Sequence, residues 1–365
     1  MVGALAGMVG CGQTVVEITP PPAQYPCVLP SNLPMGGVHL NGKLFHAYGD
    51  SITYGFLLPS TRDAYPYLMA ADLGLTVNDN AVNGAQACDL SPNQIFPNND
   101  NPSIASPMLY TVMVGTNDAA RDIAGYTDVF ALCHQAAIAW LGVPAEFKVL
   151  ANAPTVTHSG GGTTEAANNW NAWVMSQQGS SITLPITVSV TGPIYLWMRI
   201  IDGDGATYSY SVDGNILGNG STSTTPVVKT SQSTTDSLAL IRIPGISAGV
   251  HKVTVTMTSG PGTVRTIAAG VPPQSGTSLP EVLVGDIPYA LNTASTGCSG
   301  TATASLRYIA EIQKTVILLN GDGLNVSYVP TRKFFFGTSA ELEDQVHPNP
   351  FGQGELRKAY EASIY

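Results

Sequence analysis

Charge is what this 365-residue chain has least of. Asp, Glu, Lys and Arg together make up 11% of it, less than half the roughly 25% of ordinary soluble domains. Its surface must therefore be covered by Ser, Thr, Asn, Gln and Gly, a composition that suits extracellular proteins. Positive charge is the scarcer sign: 15 basic residues stand against 25 acidic ones, for a net charge of −10. No run of Lys or Arg provides the basic face that phosphates require. Nucleic acid is thus an unsuitable partner, and a polyanionic substrate would be repelled by the protein's own field. No segment beyond the N-terminus approaches the ~20 uninterrupted apolar residues of a transmembrane helix. There is no CxxC pair and no His/Cys cluster at metal-ligand spacing, which argues against structural zinc. Nothing calls for a cofactor, and no internal repeat is visible.

What is present begins with apolar residues, 44% of the chain, enough for a sizeable core. Residues 1–10, MVGALAGMVG, are small and apolar and run directly into Cys11, as at the end of a secretory h-region. Met8-Val9-Gly10-Cys11 loosely resembles a bacterial lipobox, with Met where Leu is usual. The reading is a signal or lipobox remnant over 1–11 in a secreted or cell-surface protein. The only membrane link would be a lipid anchor at Cys11. Cys27, Cys88, Cys133 and Cys298 then form an even set that allows up to two disulfides in three connectivities.

Residues 12–40 are a Pro-rich lead-in. KLFHAYGDS (43–51) is a short apolar run ending in a turn, as in a buried parallel strand. DAYPYLMAADLG (63–74) has helical spacing with Gly74 as a stop signal. TVNDNAVNG (76–84) reads as strand and loop, PMLYTVMVGTND (107–118) as an apolar strand ending in a polar loop, and 127–141 as a helix. Between about 145 and 280 helical periodicity disappears. Alternating segments, SITLPITVSV, IYLWMRII, TYSYSVDGNIL, SLALIRIP and HKVTVTMTS, separated by Gly-rich turns, predict an antiparallel β-sandwich. After 280 a strand (280–291), a helix (305–320), a strand (324–331) and a terminal helix (352–365) return. The expected architecture is a three-layer, flavodoxin-like α/β domain over 41–144 and 281–365. The β-sandwich over 145–280 interrupts it as an insert.

Four blocks at the predicted strand mouths carry chemistry. Tyr48-Gly49-Asp50-Ser51-Ile52-Thr53 stands at the end of the first strand; alone, Gly-Asp-Ser reads better as a turn with an N-cap. Asp344-Gln345-Val346-His347 would let one loop deliver an imidazole and the carboxylate that orients it. Val114-Gly115-Thr116-Asn117-Asp118 ends the third strand. Asn83-Gly84-Ala85 ends the second, where Gly lets backbone approach a reacting group closely. Single blocks are weak; four in this order are not.

Together they resemble the SGNH/GDSL hydrolase superfamily, with Ile52 where the signature has Leu, over residues 43–144 and 281–365. The resemblance implies a serine esterase with the triad Ser51, His347 and Asp344. It also implies an oxyanion hole from the N–H groups of Ser51 and Gly84 and the side chain of Asn117. The implied substrate is an acylated small molecule or polysaccharide. A polar sandwich grafted into an exported esterase favours short O-acetyl esters on carbohydrate. A lipase, lysophospholipase or thioesterase stays open, as do a non-catalytic carbohydrate-binding surface protein and an insert that mediates oligomerisation.

Other candidates are weaker. His46 and His134 read as packed strand and core histidines. Asp202, Asp204 and Asp213 could suggest calcium but lack a full ligand loop. Trp170, Trp173, Trp197 and Tyr208 could form a sugar platform, although such aromatics more commonly pack a core.

Overall fold

The computed structural model describes residues 29–36, 44–104, 108–121, 126–166, 169–201, 204–222, 236–273, 279–290 and 303–364. Cys11, Cys27, Cys298 and Asp202 lie outside them. Five parallel strands form the first sheet: β1 (Leu44–Gly49), β2 (Thr76–Asp79), β3 (Leu109–Met113), and two late strands, Glu281–Gly285 and Val326–Val329. Numbered within this sheet alone, their spatial order is 2-1-3-4-5. The direction of crossover reverses between β1 and β3, and it is at such a switch point that open α/β sheets bind ligands.

The strands are short apolar runs because both faces of the sheet are covered. Helices α1 (Ser51–Tyr54), α2 (Tyr65–Leu73), α3 (Thr116–Arg121), α4 (Tyr126–Gly142), α5 (Thr303–Gly321) and α6 (Pro350–Glu361) accompany them. On one face Tyr48, Tyr110, Val112, Val284 and Tyr328 pack with Phe130, Ile138, Ile309 and Ile312 of α4 and α5. On the other, Phe45, Ala47, Met113 and Leu283 pack with Met69, Leu356 and Tyr360 of α2 and α6. Alternate residues of a strand enter opposite cores, as the two-residue period requires. Residues 87–95, to which the sequence pattern assigns no element, form two short helical turns. The Cys88–Cys133 disulfide ties these turns to α4.

The intervening strands are β4 (Lys148–Leu150), β5 (Thr157–Ser159), β6 (Gly162–Glu165), β7 (Ala172–Met175), β8 (Ser181–Val188), β9 (Gly192–Ile201), β10 (Thr207–Val212), β11 (Asn215–Ser221), β12 (Asp236–Ile246), β13 (Gly249–Ser259) and β14 (Val264–Gly270). The late parallel strands are thus β15 and β16. Two antiparallel sheets result, ordered β11-β10-β13-β8-β5 and β12-β9-β14-β7-β6, with β4 pairing β14. Ile182, Leu184, Val253, Val255, Leu196 and Met198 fill the core between them.

Around β9 the second sheet does not face water on its other side. β9 is buried on both faces along Ile194–Ile200, so IYLWMRII is not the alternating, half-exposed strand expected from the sequence but an almost continuously apolar one. Trp197, Tyr195, Leu238 and Leu240 join the same hydrophobic cluster as Ala136, Ala137, Ala139 and Trp140 of α4, and Trp197 Nε1 donates to the Ala136 carbonyl at 3.2 Å. The sandwich and the α/β unit thus share one hydrophobic cluster, while each also keeps a core of its own.

Candidate active site

Gly49 ends β1 and the chain turns at once into α1. Asp50 is the N-cap, its Oδ1 accepting the Ile52 N–H at 3.0 Å, so Ser51 becomes the first helical residue. Its N–H has no intrahelical acceptor at that position. A side chain at Gly49 would collide with Thr53 and the Met113 carbonyl, which makes glycine obligatory where the end of β1 lies alongside β3.

Two buried glutamines grip this turn. Gln94 accepts from the Gly49 N–H at 3.0 Å and donates to the Gly49 carbonyl at 2.8 Å. Gln353 donates to the Ile52 carbonyl and accepts from the Tyr65 N–H, both at 2.9 Å. Neither residue is exposed.

The loop before α6 is closed on itself. Leu342 bridges Pro348, the Glu343 N–H donates to the His347 carbonyl at 2.8 Å, and Asn349 caps α6 through the Gly352 N–H at 3.0 Å. Within it Asp344 Oδ1 accepts the N–H groups of Val346 and His347, both at 2.7 Å. Asp344 Oδ2 lies 2.8 Å from His347 Nδ1, and His347 Nε2 lies 3.0 Å from Ser51 Oγ. The structure thus brings Ser51, His347 and Asp344, separated by nearly three hundred residues, into one hydrogen-bonded line. Asp344 is 42% exposed at its side chain and His347 18%; the line opens to solvent.

Asp344 in this line and Asp50 beside Ser51 differ. Partial burial acts to raise Asp344, but the hydrogen bonds from the His347 N–H, its imidazole and the Val346 N–H outweigh it and hold the carboxyl below its ordinary value. Asp50 is wholly buried, and desolvation pushes it up to about 6 against the easing of the Ile52 N–H, the Thr116 hydroxyl and the His347 charge.

Gly84 has φ +75 and Gly115 φ +127, left-handed conformations that favour glycine. Asn117, at the start of α3, donates from Nδ2 to the Ala85 carbonyl at 3.0 Å, which ties it to the residue after Gly84 and leaves its second amide hydrogen unspent in that bond. Asp118 is buried behind it and receives the Ala87 N–H on both carboxylate oxygens, at 3.2 and 3.3 Å. Desolvation holds that carboxyl well above its ordinary range.

The remaining sequence candidates lie elsewhere. His46 pairs with Asp100 at 3.1 Å. His134 is buried and stacks on Phe130, and desolvation lowers its pKa to about 3. Asp204 is taken by Arg265 and the Thr263 hydroxyl, both at 2.9 Å, and Asp213 by His251 at 2.7 Å. Among the described residues no group of three or more His, Cys, Asp or Glu could hold a metal. Trp170, Trp197 and Tyr208 are buried, and Trp173 stacks on His158 at 3.7 Å. Gln94 and Gln353 escaped the sequence reading, because a buried glutamine leaves no periodic trace.

No protein-family model matches the chain, and no curated protein is similar to it in sequence. Among solved structures it is similar to a two-domain esterase active on acetylated mannans, crystallised with mannopentaose. That likeness has 14% identity, covers 64% of this chain and 92% of that one, and has a TM-score of 0.35. It is also similar to the C-terminal family 6 carbohydrate-binding module of a marine laminarinase from Zobellia galactanivorans, at 16% identity, 34% and 97% coverage and TM-score 0.27. A family two carbohydrate esterase from Cellvibrio japonicus matches at 11% identity, 33% and 32% coverage and TM-score 0.23. Scores of this size assign neither fold nor activity to the chain.

Proposed function

We propose that this chain is a secreted or surface-held serine esterase of the SGNH/GDSL type, which removes short acyl groups, in the first instance O-acetyl groups, from carbohydrate. The observation that carries the reading is the unbroken line from Ser51 Oγ through the His347 imidazole to Asp344, with contacts of 3.0 and 2.8 Å. Such a line activates a hydroxyl at neutral pH.

In this mechanism His347 Nε2 takes the Ser51 proton as Oγ attacks the ester carbonyl. Asp344, kept ionised by its N–H donors, stabilises the imidazolium. The N–H groups of Ser51 and Gly84 and the free amide hydrogen of Asn117 would meet the developing oxyanion, where one lost donor typically costs ~10²–10³ in rate. The imidazolium then protonates the leaving alcohol, and water, deprotonated by the same imidazole, hydrolyses the acyl-enzyme. The polar sandwich and the solvent-open triad support a bulky carbohydrate substrate over a buried acyl chain. Ser51→Ala is expected to lower turnover of 4-nitrophenyl acetate by at least ~10³-fold with an unchanged circular dichroism spectrum; turnover near the wild-type level overturns the assignment.

Exposed apolar side chains at Tyr54, Phe56 and Leu57 favour a second reading, a lipase or lysophospholipase. Rates that climb from acetyl to octanoyl esters would select it over the deacetylase.

A further inference from the structure

We infer that Phe56 is a specificity-determining residue: its ring is the surface on which the leaving alcohol of the substrate stacks, so that the site selects alcohols with a flat apolar face, such as a pyranose or aryl ring. The inference rests on the esterase reading of Ser51 and His347.

The local backbone makes this placement. α1 ends after one turn at Gly55, which takes a left-handed conformation with φ +78. The Phe56 N–H then reaches back to the Ser51 carbonyl at 2.9 Å and the Leu58 N–H to the Gly55 carbonyl at 3.2 Å. Leu57 sits between them at φ +69, a region that leucine rarely adopts and in which it is strained. The strained turn holds Phe56 and Leu57 out of the core, 39% and 46% exposed. The Phe56 ring lies edge-on to the His347 imidazole, with centroids 5.0 Å apart. In a chain with Ser and Thr to spare for exposed positions, a phenyl held beside the reactive imidazole marks a contact surface.

Chemistry decides which half of the ester meets it. In acylation the bond from Ser51 Oγ to the carbonyl carbon forms, the bond to the alcohol oxygen breaks, and the proton on His347 Nε2 passes to that oxygen. The alcohol must therefore sit against the imidazole, whereas the oxyanion points towards Gly84 and Asn117 on the loops after β2 and β3. The ring that flanks the imidazole thus flanks the alcohol. Aromatic faces receive the C–H face of a sugar or the face of another ring, and they do little for a methyl group.

The test compares kcat/KM of wild type, Phe56→Ala and Phe56→Trp on fully acetylated glucose, phenyl acetate and methyl acetate. Phe56→Ala should lose about tenfold on the first two, the size of one ring contact, and less than about twofold on methyl acetate. Phe56→Trp should keep the wild-type preference. Equal losses on all three substrates, or none on any, overturn the assignment while leaving the hydrolase reading in place. Activity that survives Ser51→Ala overturns the hydrolase reading, and the role of Phe56 with it.

Discussion

Asp50 directly precedes Ser51 and Asp344 lies behind the imidazole that faces it, and their surroundings push the two carboxyls in opposite directions. Three hydrogen bonds keep Asp344 acidic, so it is the carboxylate able to balance an imidazolium. Asp50 caps α1 from a fully buried position that raises its pKa to about 6. Because the folded value exceeds the unfolded one, Asp50 favours the fold at low pH, and that contribution is lost as pH rises through about 6. Asparagine retains the capping oxygen and never ionises. Stability of Asp50→Asn relative to wild type should therefore improve by about 2 kcal/mol between pH 4.5 and pH 8. Urea denaturation at the two pH values measures it, and a constant gap shows that the carboxyl does not titrate in that window.

At the scale of elements, α6 does more than close the sheet. It begins at the cap that ends the His347 loop, and its Gln353 reaches across to hold the carbonyl of Ile52. One rigid helix thus fixes the imidazole relative to the hydroxyl it faces. Gln353→Met has similar length and no hydrogen bonds, so it strands the Tyr65 N–H and leaves the Ile52 carbonyl only the Gly55 N–H at 3.3 Å. Losing these bonds should cost about 1–3 kcal/mol in urea stability and lower kcat by ~10–100-fold with KM little changed. A loss confined to KM would show that the helix holds substrate rather than catalyst. Much of this geometry could be read in advance. Ser51, which follows an apolar strand, and Asp344 and His347, in the loop before the terminal helix, stood out as short polar blocks, and the structure joins these three. Gly84 and Asn117 stood out in the same way after β2 and β3, and their part at an oxyanion belongs to the proposal. Gln94, Gln353 and Phe56 did not, since their roles depend on contacts between distant segments that no local spacing records.

At the scale of the whole molecule, the alternation in the middle third announces antiparallel sheets but not where they sit. β9 gave a warning in its continuous apolar run, which fits a strand covered on both faces better than the edge of a free-standing module. The structure supplies the second cover, α4, and adds a polar weld: Arg242 of β12 donates twice to Asp322 at the end of α5, at 2.6 and 2.7 Å, and Tyr195 of β9 donates to the same carboxylate at 2.6 Å. Lys148, at the start of β4, donates to the Trp140 carbonyl of α4 at 2.8 Å and lies 4.1 Å over its ring. A module that only tethers substrate could unfold alone, whereas one sharing a core cannot expose it without exposing α4 as well. The intact chain should therefore unfold in one cooperative transition, with tryptophan fluorescence and the proposed esterase activity lost together. Trp197→Ala, deep in the shared core, should lower that single transition by about 3–5 kcal/mol and reduce hydrolysis on heating in step, although Trp197 belongs to the sandwich and the triad does not. Two separated transitions in the wild-type protein, or activity outlasting the sandwich signal in the variant, would mean that the joint is a contact between independent domains and that the sandwich can be exchanged without cost to the site.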